Sequence, residues 1–109
     1  MPKLCNIDID RSQKVYKELA GFIKKLRHRF TIHEIYLYGS FASGDIHEGS
    51  DIDLIIIGDF KGKMFQRIEQ IISLTDLPIE PLVYTLEEFN RMKRTSSFLK
   101  KVIREGKRL

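Results

Sequence analysis

Leu54-Ile55-Ile56-Ile57 is the longest aliphatic run in the chain, and it has the length of a strand. A strand with no polar residue at alternate positions has no face to offer water. It must be covered on both sides, as at the centre of a sheet with helices packed on each surface. The rest of the sequence is arranged to supply that cover.

Val15, Leu19, Phe22, Ile23 and Leu26 recur at helical spacing, which predicts an amphipathic helix over 12–28 with Ser12 as its N-cap. Its basic end (Lys24, Lys25, Arg27, His28, Arg29) suits the negative end of the helix dipole. A strand over 31–38 follows and stops at Gly39; Ser40 to Ser43 begin a short helix ended by Gly44. After a polar loop, residues 51–57 form the second strand. The periodicity then predicts a helix over 61–74 with Met64, Ile68, Ile71 and Ile72 on its buried side. Ile79 to Tyr84 form a third strand, and Pro81, which cannot donate to a ladder, places it at an edge. Thr85-Leu86-Glu87-Glu88 is a capping box that opens a helix to about Arg94. A last helix over 96–105 turns Phe98, Leu99, Val102 and Ile103 inward. The order α-β-(α)-β-α-β-α-α is that of a small α/β (α+β) fold with helices covering a short sheet. With 109 residues, no internal repeat and no linker, residues 1–109 read as a single domain.

Bulk properties exclude several classes. No apolar run approaches the roughly 18 residues of a membrane span, and the first ten residues lack the apolar segment of a signal peptide. The expected location is the cytoplasm, with no membrane partner. Cys5 is the only cysteine, so an intrachain disulfide and a thiolate metal cage are excluded, and Cys5 reads as a bystander. The net charge is +4 and the pI about 9.3, with the excess at the two ends of the chain. The centre is acidic: Asp45, Glu48, Asp51, Asp53 and Asp59. A plain nucleic-acid binder seldom places acids at its middle unless they hold a cation.

The chemistry concentrates in Tyr38-Gly39-Ser40-Phe41-Ala42-Ser43-Gly44 and, with ten residues between Ser40 and Asp51, in Asp51-Ile52-Asp53. Gly39 lets the backbone approach a phosphate closely. The amides that open the next helix point at that phosphate, and the Ser40 hydroxyl donates to it. Alternate residues of a strand share a face, so Asp51 and Asp53 project together while Ile52 points away. Like charges this close repel unless a divalent cation lies between them, and hard carboxylate oxygens suit magnesium. Glu80, on the third strand, reaches the same face if that strand lies beside the second. It is then a third carboxylate, a metal ligand or a base for an attacking hydroxyl.

Gly39-Ser40 followed at this spacing by Asp51-Ile52-Asp53 resembles the signature of the polymerase-β-type nucleotidyltransferase superfamily, and the short length resembles its minimal nucleotidyltransferases. The likeness spans about residues 12–90. It implies a mixed sheet flanked by helices, and transfer of a nucleoside monophosphate from a triphosphate to a hydroxyl with release of pyrophosphate. It implies further that Gly39 and Ser40 grip the triphosphate, with Ser50 beside them, and that Asp51 and Asp53 hold two magnesium ions. The family's third acid is usually an aspartate on a later strand; Glu80 stands there in this chain. Many minimal members resemble antitoxins that act on a small helical toxin of the HEPN type, by moving AMP from ATP to a toxin tyrosine or by tight binding. The partners so implied are a nucleoside triphosphate and such a toxin; a homodimer through the open third strand is a further option.

Other polar residues read more plainly. His33 is a surface or rim residue, His47 a solvated loop histidine, and Asp45 and Glu48 turn caps. Tyr36 and Tyr38 belong to the core or its rim rather than to a base-stacking platform. The C-terminal basic stretch is a solvated helix face. Two other functions compete with the enzyme: a non-catalytic module that binds nucleotide and blocks its partner by occlusion, and a basic nucleic-acid binder.

Overall fold

The computed structural model describes residues 2–44 and 51–109, with side chains described from Gln13 onward. The elements follow the order α1 (Pro2–Arg29), β1 (Ile32–Tyr38), α2 (Ser40–Ser43), β2 (Ile52–Gly58), α3 (Met64–Ile72), β3 (Ile79–Tyr84), α4 (Leu86–Met92), α5 (Ser97–Glu105) and β4 (Lys107–Arg108). The strands form one mixed sheet in the order β3-β2-β1-β4. β2 runs antiparallel to β1 and parallel to β3, and β4 pairs antiparallel with the far side of β1.

The aliphatic run lies at the sheet centre, and Leu54, Ile55, Ile56 and Ile57 are all fully buried. On one surface Ile35, Leu37, Ile52, Leu54, Ile56 and Val83 meet Leu19, Phe22 and Leu26 of α1 and Ile71 of α3. On the other, Tyr36, Ile55, Ile57 and Tyr84 meet Phe89 of α4 and Leu99 and Val102 of α5. Strand periodicity thus sends neighbouring residues of β2 into two separate cores. β3 is an edge strand, as Pro81 requires.

Several boundaries differ from the expectations. α1 does not begin at Ser12 but runs from Pro2, so Ser12 lies within the helix and is not its N-cap. No glycine or proline occurs between Lys3 and Ala20 to stop the helix, and Pro2 sits in the first turn, where its missing N–H costs nothing. α3 is shorter than expected because Gly62 turns the chain at φ 84°. The Gln66 side chain then accepts a hydrogen bond of 2.9 Å from the Lys63 amide at the helix start. Ile72 is 44% exposed, and the buried stripe of α3 includes Arg67. In α5, Leu99 and Val102 face inward, whereas Phe98 and Ile103 flank that line and are 44% and 39% exposed. β4 was not expected, because two basic residues carry no strand signal. Arg108 there reaches Glu34 of β1 at 3.3 Å.

Candidate active site

The register of the sheet assembles the site. Tyr38 of β1 lies opposite Asp53 of β2, and Asp53 lies opposite Glu80 of β3. Tyr38, Asp53 and Glu80 therefore form one row across three strands, on the surface covered by α4 and α5. Asp51 precedes β2 by one residue and is exposed. Glu80 lies within hydrogen-bonding reach of both Asp51 and Asp53, so the two aspartates face the same side.

The electrostatics record the crowding. A hydrogen bond to Asp51, together with the Asp51 and Asp53 charges, raises the Glu80 carboxyl above its ordinary range. Burial raises Asp53, the Asp51 charge adds to it, and the hydrogen bond from Glu80 works against them. Burial first, then the charges of Asp53 and Glu80, push the Tyr38 phenol up to about 12. Tyr38 is thus a neutral hydroxyl beside an acidic cluster, a neighbour that sequence reasoning placed only in the core or rim. The signal was its position immediately before Gly39, on the same strand face as Tyr36.

The glycine turn closes on this cluster. Gly39 has φ 73° and ψ −152°, and a Cβ there would run into the Asp53 carboxylate. Only a residue without a side chain lets the turn lie against that acid. Ser40, half-buried, opens α2, where the amides of Ala42 and Ser43 both donate to the Gly39 carbonyl at 3.1 Å. Those two amides are thereby taken up, and only the Ser40 and Phe41 amides, with no carbonyl four residues back in the helix, are left for a ligand. Gly44 ends the turn at φ 84°. Phe41 anchors α2 in the core. The Tyr16 hydroxyl of α1 donates to the Phe41 carbonyl at 2.6 Å, and the two rings meet edge to face with centroids 6.0 Å apart.

Of the residues singled out from sequence, Gly39, Asp51, Asp53 and Glu80 come together, with Ser40 next to Gly39. Ser50, Asp45, His47 and Glu48 lie outside the described residues, and so does the Cys5 side chain. His33 is at the surface, 2.9 Å from Asp59. Among the described residues, no three acidic, histidine or cysteine side chains form a finished metal cage. The donor set nevertheless suits a divalent cation. Three carboxylates at one end of a sheet, two of them raised by mutual repulsion and burial, are what a hard cation relieves.

The profile of the nucleotidyltransferase domain family matches residues 19–109. The chain belongs to this family. As a nucleotidyltransferase it has a relative in Methanocaldococcus jannaschii, named as a candidate protein adenylyltransferase. The two are 34% identical over 96 residues, spanning 87% of this chain and 94% of the relative. Its fold matches the crystal structure of a candidate nucleotidyltransferase from Sulfolobus solfataricus, with TM-score 0.62 at 22% identity, over 76% of this chain and 78% of that one. It also matches a toxin–antitoxin crystal structure with AMP-PNP, with TM-score 0.52 at 24% identity, over 79% of this chain and 67% of the other. This nucleotidyltransferase thus carries its carboxylates and its glycine turn on the small mixed sheet those structures share.

Proposed function

We propose that this nucleotidyltransferase moves AMP from ATP to a protein hydroxyl, a tyrosine of a small helical HEPN-type toxin, and so serves as an antitoxin in the cytoplasm. The observation that carries the reading is the row Asp53–Glu80 with Asp51 beside it, set directly against Gly39. The relative named for protein adenylyltransferase supports a protein acceptor, and the toxin–antitoxin structure with AMP-PNP supports both the nucleotide and the context.

In this reading Gly39 and Ser40 hold the triphosphate, with Ser50 as a further contact. Asp51, Asp53 and Glu80 hold two magnesium ions. When bound, those ions supply charge neutralisation on the phosphates and activation of the acceptor oxygen. Glu80, at the edge of the cluster beside Asp53 and ionised once the cations neutralise its neighbours, takes the acceptor's hydroxyl proton. The acceptor oxygen forms a bond to the α-phosphorus as the bond to the β-phosphate oxygen breaks, and pyrophosphate leaves in line. Residues 1–109 act as one minimal catalytic domain, and the partner supplies the acceptor.

Intact mass of the partner after incubation with ATP and magnesium tests the proposal. We expect a gain of one AMP with the natural chain, and its loss in Asp51→Asn and Asp53→Asn. No gain with the natural chain, combined with a tight complex that survives Asp53→Asn, would replace transfer by occlusion.

A further inference from the structure

A cavity of about 380 Å³ lies between α2 and α5, on the side of Asp53 away from Glu80. This is within the roughly 300–1,000 Å³ usual for small-molecule sites. Gly39 and Tyr38 line it, so it lies directly beside the turn assigned to the triphosphate. Phe98 stands at its side and meets Tyr38 edge to face, with centroids 5.3 Å apart and planes at 79°. Leu99 and Val102 do the core packing of α5, which leaves Phe98 44% exposed. An aromatic ring held in orientation by a second ring, yet open to a cavity, offers a flat face for stacking.

The polar groups around it fit a nucleoside. Lys101, one helical turn after Phe98, places a cation at the cavity, and Glu105 an acceptor. Ser43 donates its hydroxyl hydrogen to the Ser40 carbonyl at 3.2 Å, which leaves the oxygen's lone pairs for an incoming donor.

We propose that this cavity holds the base and ribose of the nucleotide, with Phe98 as the stacking platform. The inference rests on the reading that Gly39 and Ser40 grip the triphosphate. Phosphates at that turn put the nucleoside within reach of the cavity. A hydroxyl approaching Glu80 comes from the other side of Asp53 and does not compete for the space.

Equilibrium binding in magnesium, without any partner, separates the base from the phosphates when ATP is compared with inorganic tripolyphosphate. Loss of a stacking ring should weaken ATP for Phe98→Ala by about tenfold while tripolyphosphate changes by less than about twofold. Phe98→Tyr, which keeps the ring, should bind ATP like the natural chain. Unchanged ATP binding in Phe98→Ala would place the base elsewhere and overturn the inference alone. Equal weakening of both ligands would overturn it too, because the cavity would then serve the phosphates or the fold. A natural chain that binds neither ligand would overturn the triphosphate reading itself, and this inference with it.

Discussion

Asp53 is the residue on which the site turns. It is half-buried, faces Asp51 and Glu80, and touches the space where Gly39 lacks a Cβ. Its raised pKa means that the folded chain holds the Asp53 proton more tightly than the unfolded chain does. The sign follows: its contribution favours folding most below the ordinary carboxylate range and is lost as pH rises through the folded value. At neutral pH without metal, Asp53→Asn should therefore raise the thermal midpoint, and with ATP and magnesium it should abolish transfer. Magnesium should raise the midpoint of the natural chain and leave that of Asp53→Asn nearly unmoved, as thermal melts with and without the ion would show. The pairing of Asp51 with Asp53 was legible from alternation alone. That Glu80 would join them was legible only conditionally, because periodicity says which face a residue takes but not which strand lies next door.

At the scale of elements, α4 and its neighbours are tied by one network. Thr85 Oγ1 accepts from the Glu88 amide at 3.1 Å, and Glu88 Oε1 accepts from the Thr85 amide at 2.9 Å. Arg67 of α3 donates through Nη1 to Glu88 at 2.7 Å and to the Val83 carbonyl of β3 at 3.1 Å. The bond from Arg67, followed by the Thr85 amide, holds the Glu88 carboxyl below its ordinary value of 4.5. A depressed carboxyl stabilises the fold above its unfolded pKa, and that contribution fades as pH falls through the folded value. Glu88→Gln should flatten the acid limb of a stability–pH curve below the ordinary carboxylate range. Thr85→Ala should cost about 1 kcal/mol in denaturant unfolding through loss of the cap. The capping box was visible in the four residues that form it. Its buried partner was not, because Arg67 sits within a run of otherwise ordinary helix polarity, and the register of α3 against β3 decides that it points inward. Phe98 and Ile103 were assigned inward for a related reason: an apolar residue one position off the buried line cannot be told from its neighbour until the helix is docked.

For the whole molecule, the two cores on opposite surfaces of β2 share one strand, so a change on either surface is felt along it. Ile55 is fully buried on the α4–α5 surface, one row inward from Tyr38, Asp53 and Glu80. Ile55→Ala should destabilise the chain by about 2–5 kcal/mol in equilibrium unfolding, since the cavity left behind adds to the lost transfer energy. The central strand, the edge position of β3 and the layered cover could be read in advance from Leu54 to Ile57 and Pro81. The strand order could not, nor could β4, whose pairing is made by backbone groups that no side-chain pattern reports. Position 39 closes the account at its narrowest point. Because the Asp53 carboxylate occupies the place of a β-carbon there and the backbone holds φ 73°, inherited change at 39 is barred twice, and a smaller residue at 53 would lift only the first bar. Position 53 is the freer of the two: it can lose its charge while glycine stays at 39, whereas 39 has no such latitude.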